Sequence, residues 1–210
     1  QFTGEAVVGA YTGTQLDFLP SLVVGFREFA RQYPEGQVLS RETSVRRDYG
    51  SNPYIGYDTN ERPFLFSGDL DDRLLPTSRV LAGIVGGEAI AYPFDILRQQ
   101  QIINDTIGDQ NIVALWQPGA VSALDQSRID ESMDVGMAAL YSRDLDGQTF
   151  IFTMNDDVIQ DEQTGSTWNV FGTAIDGELE GSQLQQILAF PHFWFAWVAF
   201  RPETAIYGVN

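Results

Sequence analysis

The 210-residue sequence predicts an α+β fold, mainly antiparallel β with about three short helices. Three observations predict it. Runs of β-branched and aromatic residues are short and evenly spaced, tight turn signals separate them, and only three stretches carry apolar residues at helical spacing. Parallel βαβ winding would need a helix between successive strands.

Residues 1–16 read as strand, turn, strand, with Gly4, Gly9 and Gly13 where the backbone turns or approaches a neighbour closely. Residues 20–33 read as the first helix. Leu22, Phe26, Phe29, Ala30 and Tyr33 recur on one face, Arg27, Glu28, Arg31 and Gln32 lie between them, and Pro34 stops the run. Residues 38–40 and 63–66 read as short strands. The polar stretch 69–79, with Pro76, is a linker into the next β region. Residues 80–85 and 88–92 flank Gly86-Gly87, a two-residue hairpin signal. Residues 94–101 form a helix begun by Pro93. Residues 102–103, 112–116, 137–141 and 149–153 are the strongest strands, with Asp109 and Asp146-Gly147 in the turns between them. Residues 161–168 are an acidic turn. Residues 188–200 read as a third helix, apolar nearly all round and ended by Pro202.

The chain writes one stretch twice. Gly4 to Leu16 matches Gly172 to Leu184 without a gap, at a constant offset of 168 (for example 181 − 13). The same offset pairs Phe26 with Trp194, Phe29 with Trp197, and Pro34-Glu35 with Pro202-Glu203. An internal repeat of this kind predicts equivalent structure in both places. Residues 43–210 then make one full unit, and 1–42 match the last quarter of a preceding one. The expected organisation is 1–42 as the tail of that preceding unit packed on the main one, 43–79 as an ordered connector, and 80–210 as the main β-rich unit. Either a longer chain supplies the rest of the first unit, or the leading segment pairs with its own copy.

Net charge is −17, and all twelve basic residues are Arg. Acidic side chains are scattered over the chain, a pattern that self-repels at low ionic strength and resembles proteins of extreme halophiles. No basic stripe exists to neutralise phosphates, so nucleic acid is not an expected partner. Cysteine is absent, which excludes disulfides and thiol catalysis within this chain. No stretch of about 20 apolar residues exists to span a bilayer.

The elimination extends to catalytic groups. His192 is the one histidine and lies in the most apolar stretch, where a packed side chain is expected. No Gly-x-Ser-x-Gly elbow, phosphate loop or dinucleotide fingerprint occurs. One His without Cys does not make a zinc site. The clusters Asp69, Asp71, Asp72 and Asp156, Asp157, Asp161 offer oxygen ligands for a hard cation, without the spacing of an EF-hand. No catalytic residue, metal ligand or cofactor is therefore assigned. The one candidate binding segment is the loop holding Arg46, Arg47, Asp48, Tyr49, Asn52, Tyr54, Tyr57 and Asp58. Its aromatic rings suit a partner surface equally with inward packing, and its two arginines suit pairing with Asp48 and Asp58.

Several motifs then occur in a fixed order: Arg41, Arg47-Asp48-Tyr49-Gly50-x-Asn52-Pro53-Tyr54, Gly86-Gly87-Glu88-Ala89-Ile90-Ala91-Tyr92-Pro93, Ile103-Asn104-Asp105-Thr106-Ile107-Gly108 and Thr164-Gly165-Ser166-x-Trp168. Together they resemble the domain-of-unknown-function family numbered 3179, found in bacteria and halophilic archaea, over nearly the whole chain. The resemblance implies no particular activity. Members of that family typically carry a Cys-Pro-Leu-Cys-Gly motif, in some with selenocysteine. The equivalent place here reads Leu115-Trp116-Gln117-Pro118-Gly119-Ala120-Val121, with both thiol positions filled by other residues. The family's Cys-bearing unit would then lie before Gln1.

Two functions from different classes follow. One is a non-catalytic binding or structural domain of a halophile, expected outside the cell or in its envelope, although the cytoplasm stays open. It would engage a protein partner or a second copy of itself. The other is the degenerate half of a thiol-dependent redox protein. A carboxylate metal-binding module is a weaker third. The charge yields a prediction. The Debye length falls from about 30 Å at 0.01 M salt to about 3 Å at 1 M. The thermal midpoint should therefore rise from dilute buffer to molar potassium chloride, and an unchanged or lower midpoint removes the halophile reading.

Overall fold

The computed structural model describes residues 3–45 and 47–209. Its centre is a hairpin of β1 (Arg79–Val85) and β2 (Glu88–Pro93). Gly86 and Gly87 join them with φ of 58° and 87°, the left-handed pair that a two-residue hairpin of this twist requires. Side chains alternate between two apolar faces. Leu81, Val85, Ile90 and Tyr92 enter one cluster, and Val80, Ala82, Ala89 and Ala91 enter another. A strand apolar on both faces belongs inside a sheet with cover on each side.

Helix α1 is Phe26–Gln32, and Pro93 is the N-cap of α2 (Phe94–Gln100). After α2 the chain forms β3 (Ile102–Ile107), β4 (Gln110–Gln117) and β5 (Met137–Ser142), an antiparallel sheet with β4 in the middle. A short hairpin of β6 (Asp144–Leu145) and β7 (Gln148–Thr149) follows. A third antiparallel sheet is built from β8 (Phe152–Asn155), β9 (Val158–Asp161), β10 (Thr167–Trp168) and β11 (Ala174–Asp176). Finally β12 (Ala189–Phe193) pairs antiparallel with β1, α3 (Trp194–Val198) follows it, and β13 (Ala205–Ile206) pairs parallel with β2.

The three main sheets stack. Ile112, Ala114 and Trp116 of β4 face the β1–β2 hairpin, while Val113 and Leu115 face Phe152, Ile159 and Trp168 of the third sheet. The architecture is thus α+β, mostly antiparallel strands with three short helices. Residues 3–78 contain little regular structure beyond α1 and a single 3-10 turn at Tyr57–Thr59.

Several expectations are corrected. Helix α1 starts at Phe26, because Gly25 is extended (φ −64°, ψ 144°). Residues 189–193 are strand, because they complete the edge of β1, and the helix begins only at Trp194. Residues 38–40 form no strand, and Leu39 is 98% exposed. Residues 63–66 make a turn with Leu65 at φ 64°, so no ladder forms there. The run 149–153 is split between β7 and β8. His192 lies on β12 rather than in a helix.

Segments 4–16 and 172–184 have the same hydrogen bonds. Ala6 N–H donates to Thr14 O, Gly13 to Ala6, Thr14 to Tyr11 and Leu16 to Gly4, and the corresponding donors Ala174, Gly181, Ser182 and Leu184 bond Ser182, Ala174, Leu179 and Gly172. Gln15 Nε2 reaches Thr3 O at 2.7 Å, and Gln183 Nε2 reaches Phe171 O at 2.9 Å. Their surroundings differ: Trp194 is 0% exposed and Phe26 is 68% exposed. Trp194→Ala should therefore cost about 3–5 kcal/mol. Phe26→Ala should stay within about 0.5 kcal/mol. Urea denaturation of the two variants checks this, and similar costs would contradict the burial difference.

Candidate functional site

The loop singled out by the sequence is ordered against residues 120–135. Asn52 carries much of the attachment: its N–H donates to Ser127 O (2.9 Å), its Nδ2 to Gln126 O (3.0 Å), and its Oδ1 accepts from Tyr54 N–H (2.8 Å). Gly56 and Tyr57 N–H donate to Asp125 O and Leu124 O. The Tyr57 ring packs 5.8 Å from that of Phe193. Arg47, Asp48, Tyr49 and Tyr54 are exposed, and Arg46 lies outside the described residues.

The loop ends at Asp58, whose side chain is 4% exposed. Arg79 Nη2 donates to Asp58 Oδ2 at 3.1 Å and to Ser122 Oγ at 2.8 Å, and the Ser122 hydroxyl donates to Asp58 Oδ2. The Arg79 guanidinium sits 4.9 Å over the Phe193 ring. Among the described residues Asp58 pairs with Arg79, which β1 delivers from the core side, and not with Arg47; the expected pairing by Arg46 lies outside the described residues. Among the described residues Asp58 Oδ1 is buried with no hydrogen-bond partner.

Beside this cluster opens a cleft of about 340 Å³. Asp58, Glu61, Arg79, Asp95 and Arg98 supply its charges, and Leu75, Phe94, Met133 and Val135 its apolar wall. Asp95 and Arg98 are three apart on α2, a spacing that puts both on one helix face. Among the described residues Arg98 has no ion pair. Sequence reasoning missed Arg79, Ser122, Asp95 and Arg98. The helical spacing of Asp95 and Arg98 was a usable signal; Ser122 gave none, since a long-range contact brings it to Asp58.

His192 lies elsewhere, on an apolar cavity of about 740 Å³ with Phe18, Ile84, Phe190 and Phe200. Its ring is 5.1 Å from Trp197. Burial pushes the imidazole pKa down. The acidic clusters do not converge. Asp71 pairs with Arg73, whose side-chain hydrogen bonds hold it below the usual carboxylate range. Asp161 is buried and accepts from Thr164 and from Trp168 Nε1. Asp156 and Asp157 turn the β8–β9 hairpin with φ of 49° and 63°. Among the described residues no three His, Asp or Glu are placed to share a metal ion. The segment 115–121 is structural: Leu115 is buried in β4, Trp116 Nε1 donates to Val135 O, and Gly119 N–H donates to Asp134.

A family model described as protein of unknown function (DUF3179) matches residues 1–204. The chain belongs to this DUF3179 family. No curated protein and no solved structure gives a match. No helix among the described residues of this DUF3179 protein is long and apolar enough to cross a membrane.

The histidine yields a prediction. Its folded pKa lies below its ordinary value of about 6.5, so below that pH the unfolded chain binds the proton first. The stability His192 contributes is complete above about pH 6.5 and is lost as pH falls through the folded value. Urea denaturation from pH 7.5 to 5 should show a steeper loss for the native chain than for His192→Gln. Parallel curves would contradict the shift.

Proposed function

We propose that this chain is a non-catalytic binding domain that works in high salt, outside the cell or in its envelope, and that the cleft beside Asp58 is its ligand site. The state of Asp58 carries the reading. It is buried and fixed through one oxygen, while the other lacks a donor. An unmatched buried acceptor costs about 1–3 kcal/mol, an imbalance a ligand donor relieves. Glu61 and Asp95 add negative charge at the cleft, and Arg98 offers a guanidinium suited to a carboxylate. The ligand class that matches is a small zwitterion with an ammonium and a carboxylate, its aliphatic part against Leu75, Phe94 and Val135.

Binding is favoured over catalysis by the condition of Ser122. Its hydroxyl donates to Asp58 and accepts from Arg79 Nη2 and from Leu124 N–H, and the residue is 1% exposed. A nucleophile needs a base and an open approach to the substrate. The net charge of −17 without lysine supports the high-salt setting.

L-leucine is the probe. In a titration followed by amide chemical shifts, Thr59, Ser78 and Val135 should move saturably, and Arg98→Ala should weaken binding about tenfold. Asp58→Asn should also abolish the shifts. Because breaking a buried pair costs about 3–5 kcal/mol, the exposed Arg98 variant is the decisive one. Absence of any saturable shift at the cleft overturns the proposal.

A further inference from the structure

The backbone of residues 17–24 makes no backbone hydrogen bond among the described residues. Its counterpart at offset 168 is bonded to two strands. Ser142 N–H bonds Gln185 O, Ile187 N–H bonds Leu140 O, and residues 189–193 are strand β12 on the edge of β1. Both segments then enter a helix from an extended residue, Gly25 in one and Phe193 in the other. We propose that residues 20–29 are a docking strand and helix for an apolar β-hairpin built like residues 79–93, carried by a further unit of the same fold. This surface is separate from the Asp58 cleft and does not rest on it.

The internal counterpart specifies the occupant. Trp194 and Trp197 cover the face of the β1–β2 hairpin made by Val80, Ala82, Ala89 and Ala91. Phe26 and Phe29 hold the equivalent places. Val23 is 63% exposed and Phe26 68%, so the apolar surface for the contact is available. Leu22 and Val24 point the other way and pack on the body, which anchors the strand from behind. The occupant needs glycine at one position. A Cβ at Gly83 would lie 2.4 Å from Leu188 O, and the counterpart of Leu188 is Pro20 (188 − 168).

The phase of the hydrogen bonds is also fixed. Trp194 N–H donates to Ser78 O, continuing the β12–β1 ladder, while Ala189 N–H turns to Ile187 O. Amides at even positions therefore face β1, and Pro191 sits at an odd position, where an edge strand tolerates a missing donor. By the offset, the amides of Leu22, Val24 and Phe26 face the incoming hairpin, and Val23 does not. A second copy of this chain is a poor source of the hairpin, because its own β12 and α3 already cover β1 and β2.

The test uses the full chain and a synthetic peptide with the sequence of residues 78–93, which includes the Ser78 carbonyl that Trp194 N–H uses. Saturating peptide should slow amide exchange about tenfold at Leu22, Val24 and Phe26 and leave Val23 unchanged. Peptide carrying Gly83→Val should have no effect. The Val23→Pro chain should keep the response, as Pro191 does in β12, and the Val24→Pro chain should lose it. Unaltered exchange at all three amides overturns the proposal, as does equal protection by the Gly83→Val peptide. Self-association of the chain without peptide, with the same amides protected, also overturns it, in favour of strand exchange between copies.

Discussion

The middle of strand β4 has no solvent on either side, and the rest of the structure follows from that constraint. Ile112, Val113, Ala114 and Leu115 are each 0% exposed. Every backbone group of such a strand must find a partner in the sheet, because water cannot reach it. β3 and β5 supply those partners. Its alternating side chains then demand an apolar layer on each face. The β1–β2 hairpin provides one, and the sheet of β8 to β11 provides the other. Gly136 shows how tight this packing is, since a Cβ there would fall 2.2 Å from the Trp116 ring.

The polar groups drawn into this core are tied down in the same spirit. Asp161 is 1% exposed and answers Trp168 Nε1, while Tyr141 gives its hydroxyl to Val170 O. A buried polar group without a partner is costly, so such satisfaction is the rule. Among the described residues, Asp58 Oδ1, Gln186 Nε2 and Arg201 Nε depart from it, and Asp58 lines a charged cleft. Arginine suits this chemistry better than lysine would. Arg79 bonds Asp58 and Ser122 while its plane lies over Phe193, and Arg73 holds Asp71 while lying 5.0 Å from the Trp194 ring.

The two stretches related by the offset of 168 show what context does to one local design. Turn glycines, backbone bonds and even the glutamine side-chain contact correspond. The continuation of one, residues 185–193, bonds to β5 and β1 and leads into the buried Trp194. The other leaves Val23 and Phe26 at the surface.

What the sequence by itself determined is local or periodic. Gly86-Gly87 between two apolar runs specified the hairpin, because both turn residues need positive φ. The continuous apolar run at residues 112–116 specified a strand buried on both faces, and Pro93 the start of α2. The Asn52-to-Asp58 stretch was legible as an ordered loop for its turn formers and rings. Other features depended on partners distant in the chain. Residues 189–193 have a composition compatible with a buried helix, and only the open edge of β1 made them strand. Asp58 lies 21 residues from Arg79 and 64 from Ser122, and no spacing rule joins them. The cleft likewise exists only because α2, the residue 57–61 turn and the loop at 133–135 meet there. Tertiary structure decided these points, since hydrogen-bond donors and apolar surface are satisfied by whatever the fold brings near, irrespective of distance along the chain.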